Sequence, residues 1–148
     1  MAEKISPDVR SRMMAGITGK DTQPELAVRS FLHRKGFRFR LHCNRLPGRP
    51  DVVLPRWKVA VFVHGCFWHG HEGCRYFKIP KTREQFWSTK IKANSLRDMK
   101  AVHALSNAGW RVAVIWECAL RDAPAASLDR LASFIRSDVR VEEIAART

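Results

Sequence analysis

The run HGCFWHGHEGC, from His64 to Cys74, gathers three of the six histidines and two of the four cysteines around a Phe-Trp pair. Cys66, His71 and Cys74 stand in a C-x4-H-x2-C spacing, short enough for one loop to wrap an ion. Thiolate and imidazole are zinc ligands, and a closed tetrahedral site needs a fourth. Cys118 supplies it if the strand it ends lies beside the strand that leads into the loop. Four protein ligands leave no open position for water, so such a zinc would be structural and would fix the loop that presents Phe67, Trp68 and His69. The competing reading makes Cys66 and Cys118 small buried hydrophobes. Cys43 follows a strand in a polar context and reads as a free thiol.

A second constellation has hydrolytic chemistry. LPGRPDVVL puts Asp51 at the first residue of a strand, and the next strand leads to His64 and then, round the loop, to His69. A carboxylate facing the end of its hairpin partner suits Mg²⁺, which takes hard oxygen ligands and keeps several waters. Such an ion activates water and stabilises the leaving oxygen of a phosphodiester, while a neutral imidazole takes the proton. Asp98, on the following helix, is available to hold His69 in one tautomer, and Glu25 starts an earlier helix. The alternatives are plain: Asp51 as a turn residue after proline, Asp98 and Glu25 as solvated surface acids.

Around these groups lie aromatic and basic residues. Trp87 sits in KTREQFWSTKIKANSLRDMK (81–100), where six Lys/Arg face two acids. Apolar rings among basic residues can serve as wedges between base steps; packed in a core they have no such role. Phe67, Trp68 and Trp87 are open to both readings, whereas Phe86 reads as core.

The elements that must position these groups follow from periodicity. A short basic helix is expected over 8–16. Asp21 or Thr22 caps the next, with Pro24 and Glu25 in its first turn, Leu26, Val28, Phe31 and Leu32 on one side, and Gly36 at its end. FRFRL (37–41) alternates as a half-exposed strand, and DVVL (51–54) with VAVFV (59–63) reads as a hairpin. A long helix over 82–108 turns Phe86, Ile91, Leu96, Met99, Val102 and Leu105 inward. WRVAVIWEC (110–118) is a buried strand, and Ser127 caps a last helix carrying Leu128, Leu131 and Ile135. The order α-α-β-β-β-α-β-α predicts one α/β domain, a central mixed sheet flanked by helices, with frayed final residues.

The 148 residues suit a single domain with a real core. Twenty-seven Lys/Arg against 14 Asp/Glu give +13, which points to a polyanionic partner, nucleic acid before an anionic membrane. No apolar run approaches roughly 18 residues, so a membrane span is not expected. MAEKISPDVR has no hydrophobic core region of a secretory signal; a cytosolic protein with reduced cysteines is expected.

Together RSRMMAGI, LPGRPDVVL, VFVHGCFWHGHEGC, FWSTKIKANSLRD and GWRVAVIWECAL closely resemble the very short patch repair endonucleases, over roughly residues 8–121. The resemblance implies a restriction-endonuclease-like fold. It implies a bacterial, nucleoid-associated enzyme, a monomer by default, that nicks double-stranded DNA 5′ of the thymine in a T:G mismatch. Such mismatches arise from deaminated 5-methylcytosine, so a functional association with a cytosine-5 DNA methyltransferase is implied too. Carried onto this chain, the pattern makes Asp51 the Mg²⁺ carboxylate, with the Val63 backbone carbonyl as a further ligand. It makes His69 the general base oriented by Asp98, and His64 and Glu25 further active-site positions. Cys66, His71, Cys74 and Cys118 become zinc ligands, and Phe67, Trp68, Trp87 and Met14 DNA-intercalating residues. Residues 1–20 form a DNA-contacting segment and 21–148 the endonuclease domain. Two departures stand out: Val63 replaces a frequent threonine, and HGHEGC is one residue longer before Cys74 than the family pattern. A catalytically inert zinc-bearing DNA-binding protein and a nonspecific nuclease of the same fold are the alternative functions.

Overall fold

Thr22 opens the first helix of the computed structural model, which describes residues 22–146. The expected helix over 8–16, Asp21 and Met14 lie outside the described residues. The Thr22 hydroxyl accepts the Glu25 N–H at 3.4 Å, and Pro24 occupies the first turn, where no donor is lost. Helix α1 (Gln23–Arg34) buries Val28, Phe31 and Leu32, but Leu26 is 41% exposed. The inward stripe begins one residue earlier, at Glu25, which rotates Leu26 off it.

The FRFRL run pairs over two residues, β1 (Arg40–Leu41), because Phe37 turns into the core instead. Strands β2 (Val52–Leu54) and β3 (Val59–His64) form the expected antiparallel hairpin across a 3₁₀ turn, Pro55–Trp57. Asp51 falls just before β2 and not on its first residue. Helix α2 (Glu84–Asn107) crosses to β4 (Arg111–Trp116), which runs parallel to β3. The strand expected over 110–118 stops at Trp116, where its pairing with β3 runs out, and Glu117 and Cys118 open a short helix, α3 (Glu117–Asp122). Helix α4 (Pro124–Arg136) starts at its proline. Ser127 is therefore no cap: it is buried inside α4 and donates its hydroxyl to the Ala119 carbonyl at 3.1 Å. The expected element order lacks an edge strand that the structure shows after α4, β5 (Val141–Ile144), parallel to β4. VEEI has too few apolar residues to announce a strand alone.

The sheet order is β1-β2-β3-β4-β5 among the described residues, antiparallel on one side of β3 and parallel on the other. Alternate residues of β3 and β4 face opposite layers. Val59, Val61, Ala113 and Ile115 pack with α1, α3 and α4. Ala60, Phe62, Val112, Val114 and Trp116 pack with Ala101 and Leu105 of α2. Both central strands are apolar on each face, as strands covered on both sides must be. Phe86, in the first turn of α2, and Leu96 and Met99, which flank the inward-facing Asp98, stay 43%, 58% and 58% exposed rather than inward. Its inward stripe is Ile91, Asp98, Ala101 and Leu105.

The LPGRPD turn is pinned beneath α2. Gly48 has φ +75°, and a Cβ there would lie 2.5 Å from Ala101 Cβ and 3.1 Å from Phe62 Cζ. Left-handed backbone and overpacking both penalise a side chain, so Gly48→Ala is expected to cost about 2–4 kcal/mol in denaturant unfolding. A loss below about 1 kcal/mol would contradict this packing.

Candidate active site and metal centre

Asp51, Glu25, Val63, His64, His69 and Asp98 line one cleft of about 860 Å³. Asp51 reaches it from the turn before β2 and accepts the Val63 N–H at Oδ2, 2.6 Å away. That contact is made by backbone, which valine supplies as well as threonine. Burial raises the Asp51 carboxyl from its usual 3.8 to about 6, against the lowering effect of the Val63 N–H; Glu25 adds a smaller upward push. Glu25 is buried in the first turn of α1, bonded to His42 Nε2 at 2.9 Å and Arg29 at 3.3 Å. Glu25, His42 and Asp51 have ligand atoms within 4.8 Å of one another.

Across the cleft, α2 holds the loop after β3 by three side chains on one face. Asn94 donates to the Trp68 carbonyl at 2.8 Å, Ser95 to the His69 carbonyl at 3.0 Å, and Asp98 Oδ2 lies 2.6 Å from His69 Nδ1. Positions 94, 95 and 98 share a face because i, i+1 and i+4 project toward one side of a helix turn. Gly70 permits the approach, since its φ is +63° and a Cβ would meet Ile91 at 2.6 Å. A carboxylate accepts, so His69 Nδ1 carries the proton and Nε2 keeps its lone pair for a proton from elsewhere. His64 stacks on His69 with centroids 3.8 Å apart and planes 5° apart. Burial, followed by His69 and His71, pushes the His64 imidazole well below its usual range, so it is neutral at pH 7.

Cys66, His71, Cys74 and Cys118 form a second cluster, with ligand atoms within 4.8 Å of one another. Cys66 leaves β3 and Cys118 lies in the first turn of α3, not at a strand end. Three backbone N–H groups point at the sulfurs: Cys118 to Cys66 Sγ at 3.3 Å, Tyr76 to Cys74 Sγ at 3.4 Å, and Ala146 to Cys118 Sγ at 3.4 Å. Such donors suit thiolates better than thiols. Burial nonetheless pushes the Cys66 and Cys118 thiols up and the His71 imidazole down. A neutral imidazole beside sulfur atoms that accept N–H bonds fits a soft divalent ion, whose binding would draw off the thiol protons. Gly73, with φ +74°, makes the left-handed turn just before Cys74.

Phe67, Trp68 and Trp87 are half-buried and meet edge to face, their centroids 5.0–5.8 Å apart. They are neither core nor isolated. Phe67 and Trp68 line the cleft beside Arg49, Lys90, Arg97 and Arg121. The structure therefore brings together every sequence-derived site residue it describes. His42, Asn94 and Ser95 escaped sequence reading. The spacing of Asn94, Ser95 and Asp98 on one helix was the available signal; His42 gave none, because its partner Glu25 is 17 positions away.

An α/β scaffold that aims acid and imidazole into a basic cleft defines a protein equipped for hydrolysis of an anionic substrate. A family model described as DNA mismatch endonuclease Vsr matches residues 2–75. The type II nicking enzyme V.XorIIP of Xanthomonas oryzae pv. oryzae is 52% identical over 122 residues, 82% of this chain and 89% of that protein. V.NmeAIP, a type II nicking enzyme of Neisseria meningitidis serogroup A, is 43% identical over 82% of this chain and 86% of its own length. The DNA mismatch endonuclease Vsr of Escherichia coli is 44% identical, covering 82% and 77%. The chain belongs to the DNA mismatch endonuclease Vsr family.

The Asp51 shift has a consequence for stability. Below about pH 4 this carboxyl is protonated folded or unfolded and costs nothing. Between about 4 and 6 the unfolded chain ionises first, so folding weakens as pH rises, and above 6 the deficit is constant. Asp51→Asn should therefore stabilise metal-free protein at neutral pH by about 2–3 kcal/mol, with the gain vanishing near pH 3.5. Denaturant melts at both pH values check this, and equal stability at neutral pH would contradict it.

Proposed function

We propose that the chain nicks double-stranded DNA on the 5′ side of the thymine in a T:G mismatch, by Mg²⁺-dependent phosphodiester hydrolysis, and so starts very short patch repair. As a member of its family the chain is a DNA endonuclease. The relatives' names, nicking enzyme and mismatch endonuclease, support a single-strand cut at a mispair. The observation that carries the reading is the meeting of Asp51 and the His69–Asp98 pair in one cleft with the Phe67–Trp68 edge.

Asp51 and the Val63 backbone carbonyl would hold Mg²⁺, which when bound supplies Lewis-acid stabilisation of the phosphodiester. His69 accepts the proton of the attacking water at Nε2, while Asp98 fixes the tautomer and stabilises the imidazolium. Neutral His64 keeps positive charge off the stacked face, and Glu25 adds an acid beside Asp51. Phe67, Trp68 and Trp87 wedge between base steps, and the cleft cations attract phosphate without reading sequence. Cys66, His71, Cys74 and Cys118 hold a structural zinc. The same reading takes the fold as restriction-endonuclease-like and residues 1–20, Met14 included, as a DNA-contacting segment. It takes the protein as a monomer associated functionally with a cytosine-5 DNA methyltransferase. No helix among the described residues is long and apolar enough to cross a membrane.

With Mg²⁺, T:G duplex should be nicked while C:G and T:A duplexes are spared. Asp51→Ala should abolish product and leave binding, and Asp98→Ala should slow cleavage about 10²-fold. Equal cutting of all three duplexes would mark a nonspecific nuclease, and tight binding without product an inert DNA-binding protein. Metal analysis should find one zinc per chain, and Cys74→Ala should cost about 3 kcal/mol or more of stability. Folded protein purified free of zinc would refute that site.

A further inference from the structure

The imidazole of His64 is buried, and its Nδ1 has no hydrogen-bond partner among the described residues. Its Nε2 is 3.9 Å from Asp98 Oδ1, beyond hydrogen-bonding reach. Rings therefore set its orientation. One face lies on His69, and Trp116 meets it edge-on, centroids 5.1 Å apart and planes at 75°. The same indole stacks flat on His71, 4.0 Å between centroids and 5° between planes. Its N–H is donated to Glu143 Oε1 on β5 at 2.8 Å. His71, Trp116, His64 and His69 thus form one continuous chain of ring contacts, stacked at both ends and edge-on in the middle, running from the Cys/His cluster to the imidazole paired with Asp98. Register reinforces it: His64 and Trp116 are paired residues at the ends of β3 and β4, so neither ring shifts without the other strand.

We propose that Trp116, anchored by Glu143, is a positioning residue that couples the Cys/His cluster to the orientation of His64 and His69. Supporting partners beyond the ligands commonly orient metal-site imidazoles, and their loss lowers activity about 10–100-fold. Here the supporting ring is shared between two sites. Filling the cluster fixes the His71 plane, the His71 plane fixes the indole, and the indole fixes His64 beneath His69. The proposal rests on His69 acting as the base.

Glu143 offers a test that deletes no ring. Glu143→Ala removes the acceptor, whereas Glu143→Gln, equally uncharged, keeps an oxygen there. In the zinc-loaded full chain with Mg²⁺ and T:G duplex, Glu143→Ala and Trp116→Phe should slow single-turnover nicking about 10-fold. Zinc per chain and DNA Kd should stay at their wild-type values, and Glu143→Gln should cleave at the wild-type rate. Independently of activity, the His64 and His71 ring-proton resonances should move in Glu143→Ala and return in Glu143→Gln. Chelating the zinc should move the His64 resonances of the wild type. Wild-type cleavage by Glu143→Ala, unmoved His64 resonances, or a rate loss that merely tracks lost zinc or lost DNA binding would overturn the proposal. If the wild-type protein nicks nothing, the functional reading fails, while the resonances still decide the coupling.

Discussion

The parallel ladder between β3 and β4 positions His64 at the cleft and brings two cysteines of the Cys/His cluster together. Six paired positions run from Val59 opposite Arg111 to His64 opposite Trp116. Two residues beyond each end stand Cys66 and Cys118, so the ladder brings two cysteines 52 positions apart to one point. A slip of one residue would send every side chain of the displaced strand to the other face. His64 would leave the α2 side if β3 slipped, and Trp116 would leave it if β4 did, so the ring contact between them would be lost either way. The apolar content of both strands on both faces makes such a slip costly, because each face has its own packed cluster. The core thus sets register, and register sets the chemistry.

The cleft works against that core. Asp51 is held where burial opposes its ionisation, and Glu25 is buried beside it. Two acids near each other in a partly dry pocket weaken the metal-free fold, and a divalent cation would reverse the sign of that interaction. His42 and Arg29 offset part of it by pairing with Glu25. Any cation that binds this cleft only in the folded protein stabilises the fold by mass action.

Local chemistry was legible in the sequence; long-range partnership less so. Thr22, Pro24 and Glu25 announced α1, and the hairpin was written in DVVL and VAVFV, because capping and alternation are contained within a few residues. C-x4-H-x2-C gave three of the four clustered Cys/His residues for the same reason. Leu96 and Met99 misled, since their spacing fits a helix face without saying which face the sheet covers, and here the covered face carries Ile91, Ala101 and Leu105. β5 was hidden: Glu142 and Glu143 make VEEI look like a solvated tail, yet Ile144 is buried and Glu143 anchors the Trp116 indole. His42 was invisible because its role exists only once α1 lies against the β1–β2 turn.

The alternation within the loop after β3 explains the run of residues that first stands out in the chain. Cys66 and His71 turn toward the sulfur cluster, Phe67 and Trp68 toward Trp87 and the cleft, and His69 toward Asp98. Half-buried rings cannot hold a loop in place, because the apolar contact that would fix them is the surface they must leave open. The loop is instead fixed from both sides of the rings: by a Cys/His cluster at Cys66 and His71, and by Asn94, Ser95 and Asp98 through the Trp68 and His69 backbone and side chain. With its own ends tied down, the Phe67–Trp68 edge can meet a substrate without the loop losing its shape. His69, the very next residue, then moves with that edge or not at all.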